Sequence, residues 1–148
     1  MTLETWQENG WLRPHATSKQ EVRGILDLVE RDLADASSVD ISKDWRFNIA
    51  YNAGLQLAAL VLYAAGYRAG RGESKHYRII QALPLVMGSR FSAMRDYLDS
   101  CRRKRNISEY DAAGTISQKE TEDLLETVSE FKVEVEAWLR QNRPDIFP

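Results

Sequence analysis

One cysteine, Cys101, and two histidines, His15 and His76, are all that this 148-residue chain offers in thiol and imidazole. A lone thiol closes no intramolecular disulfide and builds no zinc thiolate cluster, and it fits a reducing compartment. Two imidazoles leave few ways to make a metal or acid–base centre, so neither a metal nor a cofactor is expected. An excess of charge of one sign is missing too. Twenty Lys and Arg face 22 Asp and Glu, a formal net of −2, which excludes a globally basic nucleic-acid coater and requires any polyanion-binding surface to be local. The first ten residues lack the basic and apolar regions of a secretory signal, which makes the cytoplasm the expected location. One uncharged run, Asn48 to Tyr67, has the twenty residues a bilayer-spanning helix needs. Asn48, Asn52, Gln56 and two glycines interrupt it, so we expect the central helix of a soluble bundle and no membrane contact.

What is present points to helices. The 43% of hydrophobic residues, with four Trp, six Tyr and four Phe, suffices for the core of one domain. Helical periodicity runs along the chain and no alternating strand pattern appears. The expected fold is all-α, an up-and-down bundle of four to five helices in one domain, 1–148, with its core at about 18–140. Leu3 and Trp6 suggest a short leading helix ended at Gly10. Ser18 with Glu21 forms a capping box ahead of Val22, Ile25, Leu26, Val29 and Leu33, which predicts a helix to about Ala36. Ser42 caps a nearly all-apolar helix ending about Ala65, with Gly66 behind it. Lys75 to Val86 predicts a further helix disturbed by Pro84, and Gly88 and Ser89 punctuate it. Helix resumes from Arg90, with Phe91, Met94, Tyr97, Leu98 and Cys101 on one side, and the spacing makes Cys101 a packed core thiol. Asn106 to Gly114 reads as less regular. Ser117 and Glu120 make a second capping box, opening a last helix that carries Leu124, Val128, Phe131, Val135 and Leu139 before Pro144.

Two features bear on chemistry. Asn48, Asn52 and Gln56 recur every four residues on one helix face; they either line a polar cleft, where Asn52 would touch a substrate, or satisfy one another and the nearby backbone. The second feature is Arg102-Arg103-Lys104-Arg105-Asn106-Ile107-Ser108-Glu109-Tyr110-Asp111. Cations at a helix C-terminus suit its dipole, but four in a row spread around the whole turn, so at least one must face the bundle or a partner. An inward arginine needs a carboxylate, an amide or a phosphate.

Set late in a helical chain of this size, this segment resembles the HEPN superfamily of nucleotide-binding helical domains. The family signature is an arginine, usually followed by a polar residue such as Asn, with a histidine about five positions on. Arg105 and Asn106 match, and Tyr110 stands at the histidine's place. The likeness in helix number and order covers about Ser18 to Leu139; its specific part is the ten-residue segment. It implies a homodimer that joins two arginine motifs in a positive cleft. It also implies binding of RNA or a nucleotide, and in many members metal-independent ribonuclease action as a toxin, often paired with a nucleotidyltransferase antitoxin. On that likeness Arg105 and Tyr110 are the catalytic candidates and Arg102, Arg103 and Asn106 the substrate-binding ones; the amide face adds Asn52 to the latter. The breadth of apolar surface on the Asn48–Tyr67 helix also points to a dimer.

An arginine fork holds a phosphate at two points and stabilises charge developing on it. Proton transfer is the harder requirement, because a phenol of pKa about 10 accepts protons poorly near neutrality beside an imidazole at about 6.5. Tyr110 can instead donate to a phosphate, stack on a base, or pack its ring with the hydroxyl wet. Glu109, Asp111 and the acidic last helix can neutralise the basic run. His76 would reach Arg105 only if the turn at Pro84–Ser89 folds its helix back; a surface or capping role is expected for it. The competing class is a non-catalytic subunit in which the same cations hold a nucleotide or a partner protein.

Overall fold

The axis of the molecule is the helix that carries the uncharged run. This helix, α3 (Lys43–Ala64), begins at Ser42, whose side chain accepts the Trp45 N–H, and 14 of its 22 residues are buried. The structure, a computed structural model, describes residues 2–72, 74–110 and 115–148, with the side chains of 106–110 outside the description. Around α3 stand α2 (Lys19–Ala36), α4 (Lys75–Met87), α5 (Ser92–Tyr110) and α6 (Gln118–Asn142). α2 and α6 pack most broadly on α3, and consecutive helices from α2 to α5 pack as neighbours. The short helix α1 (Leu3–Glu8) leads into the chain. The fold is therefore an all-α bundle. Tyr51, Phe47, Leu57 and Leu60 of α3 are fully buried together with Ile80, Leu98, Leu124 and Phe131 of the surrounding helices, each such side chain stabilising by roughly 1.5–3 kcal/mol. Gly54 permits a close approach of α5 and α6 to α3: a Cβ there would stand 3.1 Å from side-chain atoms of both Leu98 and Val128.

α3 is long and apolar enough to cross a membrane, but its apolar face is spent on its neighbours. The same burial removes the apolar surface that the sequence offered as a reason to dimerise.

Local signals are met unevenly. Ser117 and Glu120 form the full reciprocal capping box at α6. At α2 only half forms: Ser18 accepts the Glu21 N–H, while the Glu21 carboxylate is taken by His15 Nε2 at 2.7 Å and the Thr17 hydroxyl at 2.6 Å. Pro84 stays inside α4, which runs to Met87. α5 continues with helical backbone through Tyr110, so 106–110 is more regular than its composition suggests. Asp111 and Gly114, expected at a turn, lie outside the described residues.

A two-stranded antiparallel ribbon was not foreseen: β1 (Leu12–Pro14) pairs with β2 (Tyr67–Ala69), Arg13 opposite Arg68. Gly70 ends it with its N–H donated to the Trp11 carbonyl at 2.8 Å. A Cβ at Gly70 would collide with the Gly10 carbonyl oxygen, so only glycine allows this approach. The ribbon holds Trp11 against the start of α4.

Candidate functional site

The basic run divides between two faces of α5. Residues three apart share a helix face, and accordingly Arg102 and Arg105 turn toward α3 and α4. The Arg102 guanidinium lies 5.5 Å from the Tyr77 ring of α4, and that of Arg105 lies 5.4 Å from the Tyr51 ring of α3. Arg102 Nε also donates to Asp99 Oδ1 at 2.9 Å, one turn earlier on α5. The inward arginine thus finds the carboxylate it needs. Arg103 and Lys104 go the other way. Arg103 reaches Asp99 Oδ2 at 3.6 Å, Lys104 pairs with Glu120 of α6, and both line a cleft of about 540 Å³ that also touches Tyr97, Cys101 and Asp123. The structure does not bring Arg103 to Arg105, although the sequence grouped them.

Arg105 lines a separate cleft of about 230 Å³ with Asp32, Trp45, Asn48, Ile49 and Asn52. Asn52 Nδ2 donates to Asp32 Oδ2 at 3.0 Å, and Arg31 pairs with the other carboxylate oxygen at 3.0 Å. The amide face of α3 therefore does line a polar cleft at Asn48 and Asn52, and Asn48 Oδ1 is buried there with no hydrogen-bond partner. Trp45 stands at the rim, 64% exposed. Its only sequence signal was a large aromatic in the first turn of an otherwise buried helix.

Beneath Arg105 lies Tyr51, 1% exposed. Its hydroxyl has no hydrogen-bond partner. Burial pushes its pKa up to about 12 against the opposing pull of Arg105 and Arg102, so it stays protonated and keeps a proton to donate.

His76 of α4 corrects the sequence reading. Gly88, at φ +105°, and the 3-10 turn Ser89–Phe91 fold α5 back along α4, and the His76 imidazole comes to 6.3 Å from the same Tyr51 ring. Its pKa lies below the usual 6.5, through burial first and then through the charges of Arg105, Lys75 and Arg102. A half-buried imidazole kept neutral beside two arginines is a competent proton acceptor. His15, by contrast, is used structurally, bonded to Glu21 and 4.7 Å from the Tyr63 ring.

The remaining candidates, Asn106 and Tyr110, have helical backbone but side chains outside the described residues. Among the described residues no group of three or more His, Cys, Asp or Glu side chains gathers to hold a metal ion. Cys101 is buried, and burial raises its thiol to about 11, which removes it as a nucleophile.

No family model matches the chain, and no match is found among curated proteins or solved structures. The site's own chemistry therefore carries the argument. Arg105 lines a cleft with the Asn48 and Asn52 amides, the Asp32 carboxylate and the exposed Trp45 indole; behind it the buried Tyr51 ring stands between the Arg105 guanidinium and the His76 imidazole, and Arg102 lies one turn earlier on α5. Such a set can bind a phosphate, stack a base and take up a proton.

Proposed function

We propose that this chain is a HEPN-like domain that binds the phosphate of RNA or a nucleotide at Arg105 and Arg102 and cleaves RNA without a metal. The convergence of Arg105 and His76 on the Tyr51 ring carries this reading. In the reaction the 2′ hydroxyl gives its proton to His76, and its oxygen attacks the adjacent phosphorus. Arg105 and Arg102 stabilise the added negative charge, and the departing 5′ oxygen takes a proton from water. The products are a 2′,3′-cyclic phosphate and a 5′ hydroxyl. The protein acts in this reading as a cytoplasmic homodimer, a state that rests on the family resemblance.

Incubation of pure protein with RNA in chelator tests the reading, with Arg105→Ala and His76→Gln beside the wild type. Cleavage by the wild type, lowered about a hundredfold or more in Arg105→Ala, is expected. A wild type that cleaves nothing and fails to slow growth when expressed overturns the enzyme. Tyr110 at the histidine's place favours one other reading, a site that binds and does not cut, and binding without cleavage in the same assay is its outcome.

A further inference from the structure

The basic site does not stop at Arg102. The Tyr77 ring, 37% exposed, lies 5.5 Å from the guanidinium of Arg102 and also 5.5 Å from that of Arg78, one position along α4. Arg78 in turn lies 3.7 Å from the ring centre of Trp11, which the ribbon presents and which packs edge-on against Trp6 at 5.6 Å. Beyond Arg78 opens a cavity of about 200 Å³ into which Arg71 and Lys75 also face. None of Arg71, Lys75 and Arg78 forms an ion pair with a carboxylate among the described residues, whereas Arg31, Arg95, Arg102, Arg103 and Arg143 each do. In a chain of net charge −2, three cations gather around one cavity among the described residues, with Glu73, which lies between Arg71 and Lys75 in sequence, outside the description. Cations and rings thus alternate from Arg102 through Tyr77 and Arg78 to Trp11, with Arg105 one turn along α5 from Arg102 and exposed Trp45 lining the Arg105 cleft. Alternation of backbone-neutralising cations with sequence-tolerant stacking platforms is how proteins track a single strand.

We infer that the ligand is a single-stranded oligonucleotide that runs along the amino-terminal half of α4. One phosphate sits at Arg105 and Arg102, a base stacks on Tyr77, and a further phosphate sits at the Arg71, Lys75 and Arg78 cavity. This rests on the phosphate-binding reading above and specifies its substrate class. A mononucleotide would leave the second cavity unused, and a duplex would hide its base faces from Tyr77.

Affinity is measured for AMP, for 2′-O-methyl oligonucleotides of two to ten residues, which resist cleavage, and for a duplex. Affinity should climb with single-strand length and then level off. The double variant Arg71→Ala/Lys75→Ala, at two exposed positions, should lose about tenfold on the longer strands against less than twofold on AMP. Its slope of log affinity against log salt should flatten by about 0.7 for each phosphate that is no longer neutralised. Tyr77→Ala should lose roughly five- to a hundredfold on the strands. Length-independent affinity, a duplex bound as tightly as the strand, or an unaltered slope in the double variant overturns the track while leaving the Arg105 site standing. A wild type that binds neither AMP nor strands removes the Arg105 site itself, and the track with it.

Discussion

Arg105 and His76 meet at one ring: the guanidinium of the first lies 5.4 Å, and the imidazole of the second 6.3 Å, from the centre of Tyr51. They come from helices separated in sequence by the Gly88 turn, and the arginine acts on the imidazole. Burial first, and then the arginine's charge, discourages a second positive charge, so the imidazole is kept toward its neutral form beside the guanidinium that would hold a phosphate.

A titration of His76 by NMR follows directly. Its imidazole should titrate below 6.5, and Arg105→Gln should move the value up, because a repelling charge is removed. Stability carries the same sign. Between the folded value and 6.5 the unfolded chain holds the extra proton, so stability rises with pH there. It is lost as pH falls through the folded value. Denaturation of wild type and His76→Gln across pH 5–8 should show that dependence only in the wild type; a His76 titrating at or above 6.5 contradicts the account.

Trp45 is predicted to serve binding and not folding. At 64% exposure, Trp45→Ala should leave the unfolding free energy within about 0.5 kcal/mol of wild type, while single-strand affinity falls severalfold. An affinity unchanged by the substitution would take Trp45 out of the site.

Gly70 links the ribbon to the cationic track. Gly70→Ala drives a Cβ toward the Gly10 carbonyl, which no flexible side chain can relieve. A loss of about 1–3 kcal/mol is expected, with weaker strand binding because Trp11 no longer backs Arg78. Wild-type stability in chemical denaturation would show that the ribbon tolerates the shift.

Cys101 should be inert while the protein is folded. With its thiol raised to about 11, the thiolate fraction at pH 8 is on the order of one in a thousand. Thiol reagents at that pH should modify the chain only in denaturant, and prompt labelling of native protein would place Cys101 outside the core.

The helices were legible because their signals are local. Ser18, Ser42 and Ser117 cap where expected, and the apolar spacing of α6 marks its buried face. What escaped depends on partners distant in sequence. Leu12–Pro14 is too short to show alternation, and it becomes a strand only because Tyr67–Ala69 lies beside it. The Ser18 box stays half-made since His15 and Thr17 compete for Glu21. Of the candidate site, Arg105 and Asn52 line one cleft, while Arg102 faces Tyr77 of α4 and pairs with Asp99. Helical rotation sends Arg103 to the α6 cleft, and His76 joins through a chain reversal at Gly88 that composition alone does not orient. Trp45 and Arg78 were invisible, because nothing in spacing tells an exposed aromatic from a buried one, or a cation laid on a ring from one paired with a carboxylate.

The central claim is phosphate binding at Arg105, and the salt dependence of affinity for a short, non-cleavable RNA strand tests it most directly. The account predicts that Arg105→Ala binds at least about tenfold more weakly and that its slope against log salt is shallower by about 0.7, the share of one neutralised phosphate. Equal affinity and equal slope in the two proteins would contradict it.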